Sequence, residues 1–128
     1  MEIINPEALG APVGYSNGVK ATGSFLAIAG QVGWDREGRI VAGDFTAQFA
    51  RALGNVVEVV HAAGGGPDRI TALTIFVTDR HEYLDSRKAL GKEYRRIMGR
   101  HYPAMTLVEV KGLIEEGARV EIQGWAVL

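Results

Sequence analysis

Between Asp44 and Pro67 the chain carries one long apolar stripe with a hard stop at each end. Phe45, Phe49, Ala52, Val56, Val60 and Ala63 recur at spacings of three or four, the period of a helix that buries one face. Asp44 is a good N-cap, because a short carboxylate accepts from the free N–H groups of the first turn. Gly64-Gly65-Gly66-Pro67 ends the helix sharply. Such a helix needs an apolar surface to lie on, and the segments around it are built to supply one.

Those segments are short, often β-branched, and separated by glycine. Tyr15 to Ala21 and Phe25 to Ala29 read as a hairpin of two short strands. Gly38 and Gly43 bracket a third around Arg39 to Ala42. After the helix, Ile70 to Thr78 is β-rich and short, so it is expected to be a strand. A second helix is expected from about Glu82 to Met98, closed by Gly99. Ala104 to Val110 and Arg119 to Val127 are two more strands, joined by a loop with Gly112 and Gly117. The order is β-β-β-α-β-α-β-β: an α+β fold with two helices on one face of a mixed sheet, one domain over residues 1–128.

Two helices cover one face of a sheet and leave the other open. In the last strand Val120, Ile122, Gly124 and Ala126 alternate with Arg119, Glu121, Gln123, Trp125 and Val127. An uncovered face bearing Trp125, Met105 or Phe76 would put an apolar patch in water. Burial by another copy of the chain is the simplest remedy, so a homo-oligomer is expected.

Charge and composition narrow the function. There are 14 basic and 15 acidic residues, a net charge of −1. Without a basic excess or stripe, no nucleic-acid partner is expected. The absence of cysteine excludes disulfides, thiolate nucleophiles and Cys-ligated metals. No apolar run approaches the ~20 residues of a membrane span, and the first residues lack the pattern of a signal peptide. A cytoplasmic protein is expected.

Few residues carry an obvious chemistry. His61, His81 and His101 form no HxH or HExxH pair, so no metal site is expected. Gly64-Gly65-Gly66 follows a helix rather than opening one and is not a phosphate loop. Ser16, Ser24 and Ser86 lie outside any GxSxG motif. Arg87 is the sharpest anomaly. It falls on the apolar stripe Tyr83, Leu90, Tyr94, Ile97 of the second helix. Either its stem lies along that face with its head in solvent, or it points into a pocket and meets an anion. Glu121 is the second anomaly, a carboxylate within an apolar strand; the face Arg119-Glu121-Gln123 is either solvated, or pairs Glu121 with Arg119, or is buried. If another subunit buries its face, desolvation raises its pKa and suits it to general acid–base work.

An ordered set of short motifs then carries a resemblance. Gly14-Tyr15-Ser16-Asn17-Gly18-Val19, Ile28-Ala29-Gly30-Gln31-Val32, Gln48 with Ala52-Leu53-Gly54-Asn55-Val56, and Ala62-Ala63-Gly64 come first. Val77-Thr78-Asp79, Tyr102-Pro103-Ala104 with Thr106-Leu107-Val108-Glu109-Val110, and Val120-Glu121-Ile122 follow in register. Together they span nearly the whole chain, which resembles the Rid proteins (the reactive-intermediate deaminases, or YjgF/YER057c/UK114 superfamily). The resemblance implies a chorismate-mutase-like fold and a homotrimer with a central barrel and clefts between subunits. It implies hydrolysis of imines and enamines, such as 2-aminoacrylate, without metal or cofactor. In such proteins an arginine after Pro-Ala holds the substrate carboxylate, a glutamate matching Glu121 serves water, and a tyrosine matching Tyr15 lines the cleft.

This chain departs from that pattern at the clamp. Pro103-Ala104-Met105-Thr106 puts Met105 where the arginine stands, and a thioether offers no charge to a carboxylate. Ala29 stands where deaminating members often have serine, and Arg87 where they often carry a small polar residue. The expectation is a hydrolase or deaminase of non-standard specificity on an imine, enamine or similar reactive small molecule. Glu121 and Tyr15 are the expected catalytic residues. Arg87 is expected to bind an anionic substrate group, with Met105, Thr106, Ala29, Gly30 and Gln31 lining the site. The alternatives are a non-catalytic ligand-binding or chaperone-like trimer, or a tautomerase or cyclase in the same cleft. A ribonuclease activity has also been attached to the family, and the near-zero net charge argues against it here.

Overall fold

The computed structural model describes residues 1–128. Its strands are β1 (Glu2–Ile4), β2 (Gly18–Lys20), β3 (Phe25–Val32), β4 (Ile70–Val77), β5 (Ala104–Glu109) and β6 (Val120–Val127). Its α-helices are α1 (Phe45–Ala62), α2 (Arg80–Asp85) and α3 (Arg87–Met98). Four strands form one sheet in the order β3-β6-β4-β5, and β1 pairs separately with β2. The pair β4–β5 is parallel, and β6 runs antiparallel to both β3 and β4. The helical crossover α2–α3 is what permits the parallel pair, since a tight turn cannot make one.

The helices lie on one face of this mixed sheet. The α1 stripe buries Phe45, Phe49, Ala52, Leu53, Val56, Val57 and Val60, and α3 adds Leu90, Tyr94 and Met98. The sheet meets them with Ile28, Leu73, Ile75, Ile122 and Ala126. The alternation in β6 is the expected one: Val120, Ile122, Gly124 and Ala126 are buried, and the residues between them are half-buried. Asp44 caps α1, its carboxylate accepting from Ala47 N at 3.0 Å.

Four features differ from the sequence reading. The expected hairpin is absent: β2 pairs with β1, and β3 takes its place beside β6. Gly23 explains this, since its φ of +147° turns the chain where a Cβ would sit 2.3 Å from the Leu128 carbonyl oxygen. That close approach clamps the start of β3 to the C-terminus. The third strand at Arg39 to Ala42 is reduced to one bridge, Trp34 to Ile40. The Asp35 carboxylate draws the chain into a turn instead, accepting from Arg39 N at 3.0 Å and Glu37 N at 2.9 Å. Those amides, Arg39's above all, hold its carboxyl below the ordinary aspartate range. The second helix breaks in two at Ser86, whose ψ of 3° leaves the helical well. Asp85 and Ser86 are both weak helix formers.

The fourth difference concerns faces. Met105 is in register with Leu73, and Leu107 with Ile75, so Met105 packs against the core under the helices. Phe76 and Trp125 do lie on the open face, where Ala72 pairs with Trp125 and Phe76 with Glu121. Register decides this, because a shift of one residue moves every side chain to the other face.

Candidate active site

Two ties fix the N-terminal segment against the edge of the sheet. Ser16 N donates to Pro103 O at 3.0 Å, and the buried Ser16 hydroxyl donates to Tyr102 O. The segment thereby bridges Ser16 to Ala104 beside the edge strand β5. Tyr15, just before this tie, is held over a hollow of about 870 Å³ between the segment, α2–α3 and β5. The hollow is lined by Tyr15, Arg87, Met105, Arg95, Arg100 and Tyr83, among others.

Arg87 opens α3 one turn before the core residue Leu90. Its side chain is exposed, and its Nε–H donates to Leu84 O at 3.0 Å. The guanidinium thus combines the two sequence readings: it is out of the core, and it lines the hollow. Tyr94 and Tyr102 stack in the hollow's wall with centroids 5.1 Å apart and an interplanar angle of 13°. The Tyr94 hydroxyl donates to His101 O at 2.6 Å. Burial, with Tyr102 beside it, pushes the Tyr94 phenol well above its ordinary value, so it acts as a donor and not as a base. His101 Nε2 lies 2.6 Å from Ile70 O; a carbonyl only accepts, so that nitrogen carries the proton. His101 is therefore engaged structurally.

The remaining sequence candidates are elsewhere. Thr106 borders a smaller neighbouring hollow of about 260 Å³ that Tyr15, Met105 and Trp125 also line. Ala29, Gly30 and Gln31 lie at a bulge in β3. Gln31 Oε1 accepts from Trp34 Nε1 at 3.1 Å. Glu121, on the adjoining strand, packs over Gly30, where a Cβ would lie 3.0 Å from the Glu121 Cδ. Gly30 is thus the residue that makes room for the carboxylate, which has no hydrogen bond or ion pair within the chain. Glu121 aligns with Phe76, and Phe76 with Val108. Two strand spacings therefore separate it from β5, ~10 Å across the sheet. It also faces the open side, whereas Met105 faces the helices. Within one chain, the structure gathers Tyr15, Arg87 and Met105 and keeps Glu121 with Gly30 apart from them.

Sequence reasoning missed Arg95, Arg100 and the three other tyrosines of the hollow. A signal was present in α3: Arg87, Gly91 and Arg95 stand four residues apart on one face. Glycine in a helix interior costs ~1 kcal/mol against alanine. A Cβ at Gly91 would lie 3.4 Å from Arg95 Nη1, so the guanidinium of Arg95 lies back over Gly91. The contact is an ordinary one. Gly91→Ala is therefore expected to raise stability by about 0.5–1 kcal/mol, measured as the shift in urea midpoint at constant slope.

A family model described as Endoribonuclease L-PSP matches residues 5–128. A RutC family protein of Pyrococcus horikoshii is 32% identical over 98% of this chain and 96% of its own length. The 2-iminobutanoate/2-iminopropanoate deaminase of Salmonella typhimurium is 32% identical over 95% of this chain and 91% of its own. Among solved structures, YyfB of Yersinia pestis, a protein of unknown function in the Rid family, superposes with a TM-score of 0.88. It shares 30% identity over 99% of this chain and 98% of that one. Escherichia coli TdcF with bound serine superposes at 0.70, with 31% identity over 93% and 91% of the two chains. The chain belongs to the YjgF/YER057c/UK114 superfamily, the Rid proteins.

Proposed function

We propose that this protein is a cofactor-independent hydrolase of imines or enamines, acting as a homotrimer in a cleft completed between subunits. The observation that carries the reading is the hollow where Tyr15, Arg87 and Met105 meet, in a chain similar to proteins named for imino-acid deamination. The open sheet face supports the trimer. Phe25 and Val108 are exposed there, beside half-buried Phe76 and Trp125, and a central barrel of three such sheets removes that surface from water. In that assembly Glu121 reaches the hollow from a neighbouring copy.

The reaction needs little machinery. An enamine first takes a proton on its terminal carbon and becomes the imine. Water then adds to the C=N carbon, the nitrogen takes a proton, and ammonia leaves as the carbonyl forms. Glu121 accepts the proton of the attacking water and returns one to the departing nitrogen. The Tyr15 hydroxyl orients the substrate, and Arg87 holds its anionic group. Met105 contributes an apolar wall and no charge.

The test is ammonia release from 2-aminoacrylate generated in situ, for the wild type and Met105→Arg. A bidentate arginine–carboxylate contact exceeds an ordinary hydrogen bond. Met105→Arg is expected to raise kcat/KM on this three-carbon acid by about tenfold or more. Activity in neither protein would overturn the deaminase reading in favour of a trimer that binds ligands without turning them over.

A further inference from the structure

The arginines of the hollow are its least explained feature. Arg87, Arg95 and Arg100 line it, and no aspartate or glutamate does. None of the three has a carboxylate within 4.0 Å. This concentration is local, since the whole chain has a net charge of −1. Arg87 and Arg95 are eight residues apart on α3, so their backbones are ~12 Å apart along the axis. Arg95 leans back over Gly91 toward Arg87. Guanidinium groups lining one groove with no acidic side chain among them favour an anion there. A single carboxylate occupies one of them and leaves the others unmatched.

The rest of the wall describes the ligand's body. Tyr15, Tyr83, Tyr94 and Tyr102, all four tyrosines of the chain, line the hollow together with Phe49. Within one chain the hollow, at about 870 Å³, lies at the upper end for small-molecule sites. Flat aromatic walls favour a planar, unsaturated body.

We infer that the hollow takes a planar dicarboxylate, one carboxylate on Arg87 and the other on Arg95 and Arg100. The inference refines the substrate class of the proposed site and rests on the hollow being that site. It accounts for Met105: a family member whose substrate is anchored at both ends by α3 and the turn after it does not need a clamp on β5.

Isothermal titration of the intact protein with isophthalate, benzoate, phenyl phosphate and neutral isophthalamide tests it. Isophthalate is expected to bind about tenfold or more tightly than benzoate, one added charge-assisted contact being worth that much. It is also expected to bind more tightly than phenyl phosphate, whose two charges share one group, and isophthalamide is expected not to bind. In Arg95→Gln/Arg100→Gln the isophthalate advantage over benzoate falls to within about twofold while benzoate affinity stays. All of these positions are exposed, and circular dichroism checks that the variant folds. Equal affinity for the two acids, tighter phenyl phosphate, no binding of isophthalate, or an advantage that survives in the double variant would overturn the inference. The ammonia assay is separate. Release from a monocarboxylic imine without dicarboxylate preference leaves the hydrolase standing and removes this inference; the reverse pattern retains it and removes the hydrolase.

Discussion

Glu121→Gln lowers the rate of ammonia release about 10²–10⁴-fold, the usual contribution of a positioned acid–base group. The expectation follows from where the carboxylate stands. Glutamine keeps the shape that fits over Gly30 but cannot take a proton from water. Because the side chain has no hydrogen bond or ion pair within the chain, the substitution breaks no tie of the fold. The loss should fall on kcat with KM little changed, and the melting temperature should stay within the range of a surface substitution. A second measurement separates catalysis from geometry. If Glu121 and Arg87 meet only between copies, Glu121→Gln and Arg87→Ala are each impaired alone, and mixed refolding restores part of the rate. An unchanged rate in Glu121→Gln would remove this residue from the chemistry. A loss without recovery in the mixed assembly would place both groups in one subunit's site.

Gln48→Leu is expected to destabilise the fold by about 2–4 kcal/mol, because it strands two backbone groups at once. Gln48 is 4% exposed on α1. Its Nε2 donates to Gly117 O at 3.1 Å, and its Oε1 accepts from Arg119 N at 2.9 Å. One side chain thus ties the loop before β6 to the helix that carries the core. The site is tight: a Cβ on Gly33 would lie 2.8 Å from Gln48 Cα and 2.8 Å from its carbonyl oxygen. A leucine there has little room to shift its backbone, and it offers no partner to either group. For a chain of this size the loss corresponds to roughly 10 °C in Tm, measured by calorimetry or chemical denaturation. A change under about 0.5 kcal/mol, the scale of a surface substitution, would show that the loop finds other partners.

What could be read from the chain in advance is what depends on near neighbours. The helix after Asp44 is fixed by a three-to-four spacing and by its cap and stop. The two faces of β6 follow from alternation alone. The position of Arg87 on an apolar stripe was visible for the same reason. Where the reading failed, the deciding partner was distant in sequence. Arg39 to Ala42 looked like a strand because nothing local shows that Asp35 will gather its amides. Tyr15 to Ala21 and Phe25 to Ala29 looked like a hairpin because the C-terminus claims β3 only in three dimensions.

The same division runs through the site. The sequence by itself determined the residue types: an acid in β6, a tyrosine before Ser16, methionine after Pro103-Ala104, and arginines toward both ends of α3. Their chemistry is intrinsic and needs no fold. Only the tertiary structure decided their company. Pairing register set Met105 under the helices and Glu121 on the opposite face, and the Ser16 tie brought Tyr15 to the arginines of α3. Register and docking are long-range choices, made when whole elements bury their apolar faces against one another, and no window of neighbouring residues contains them.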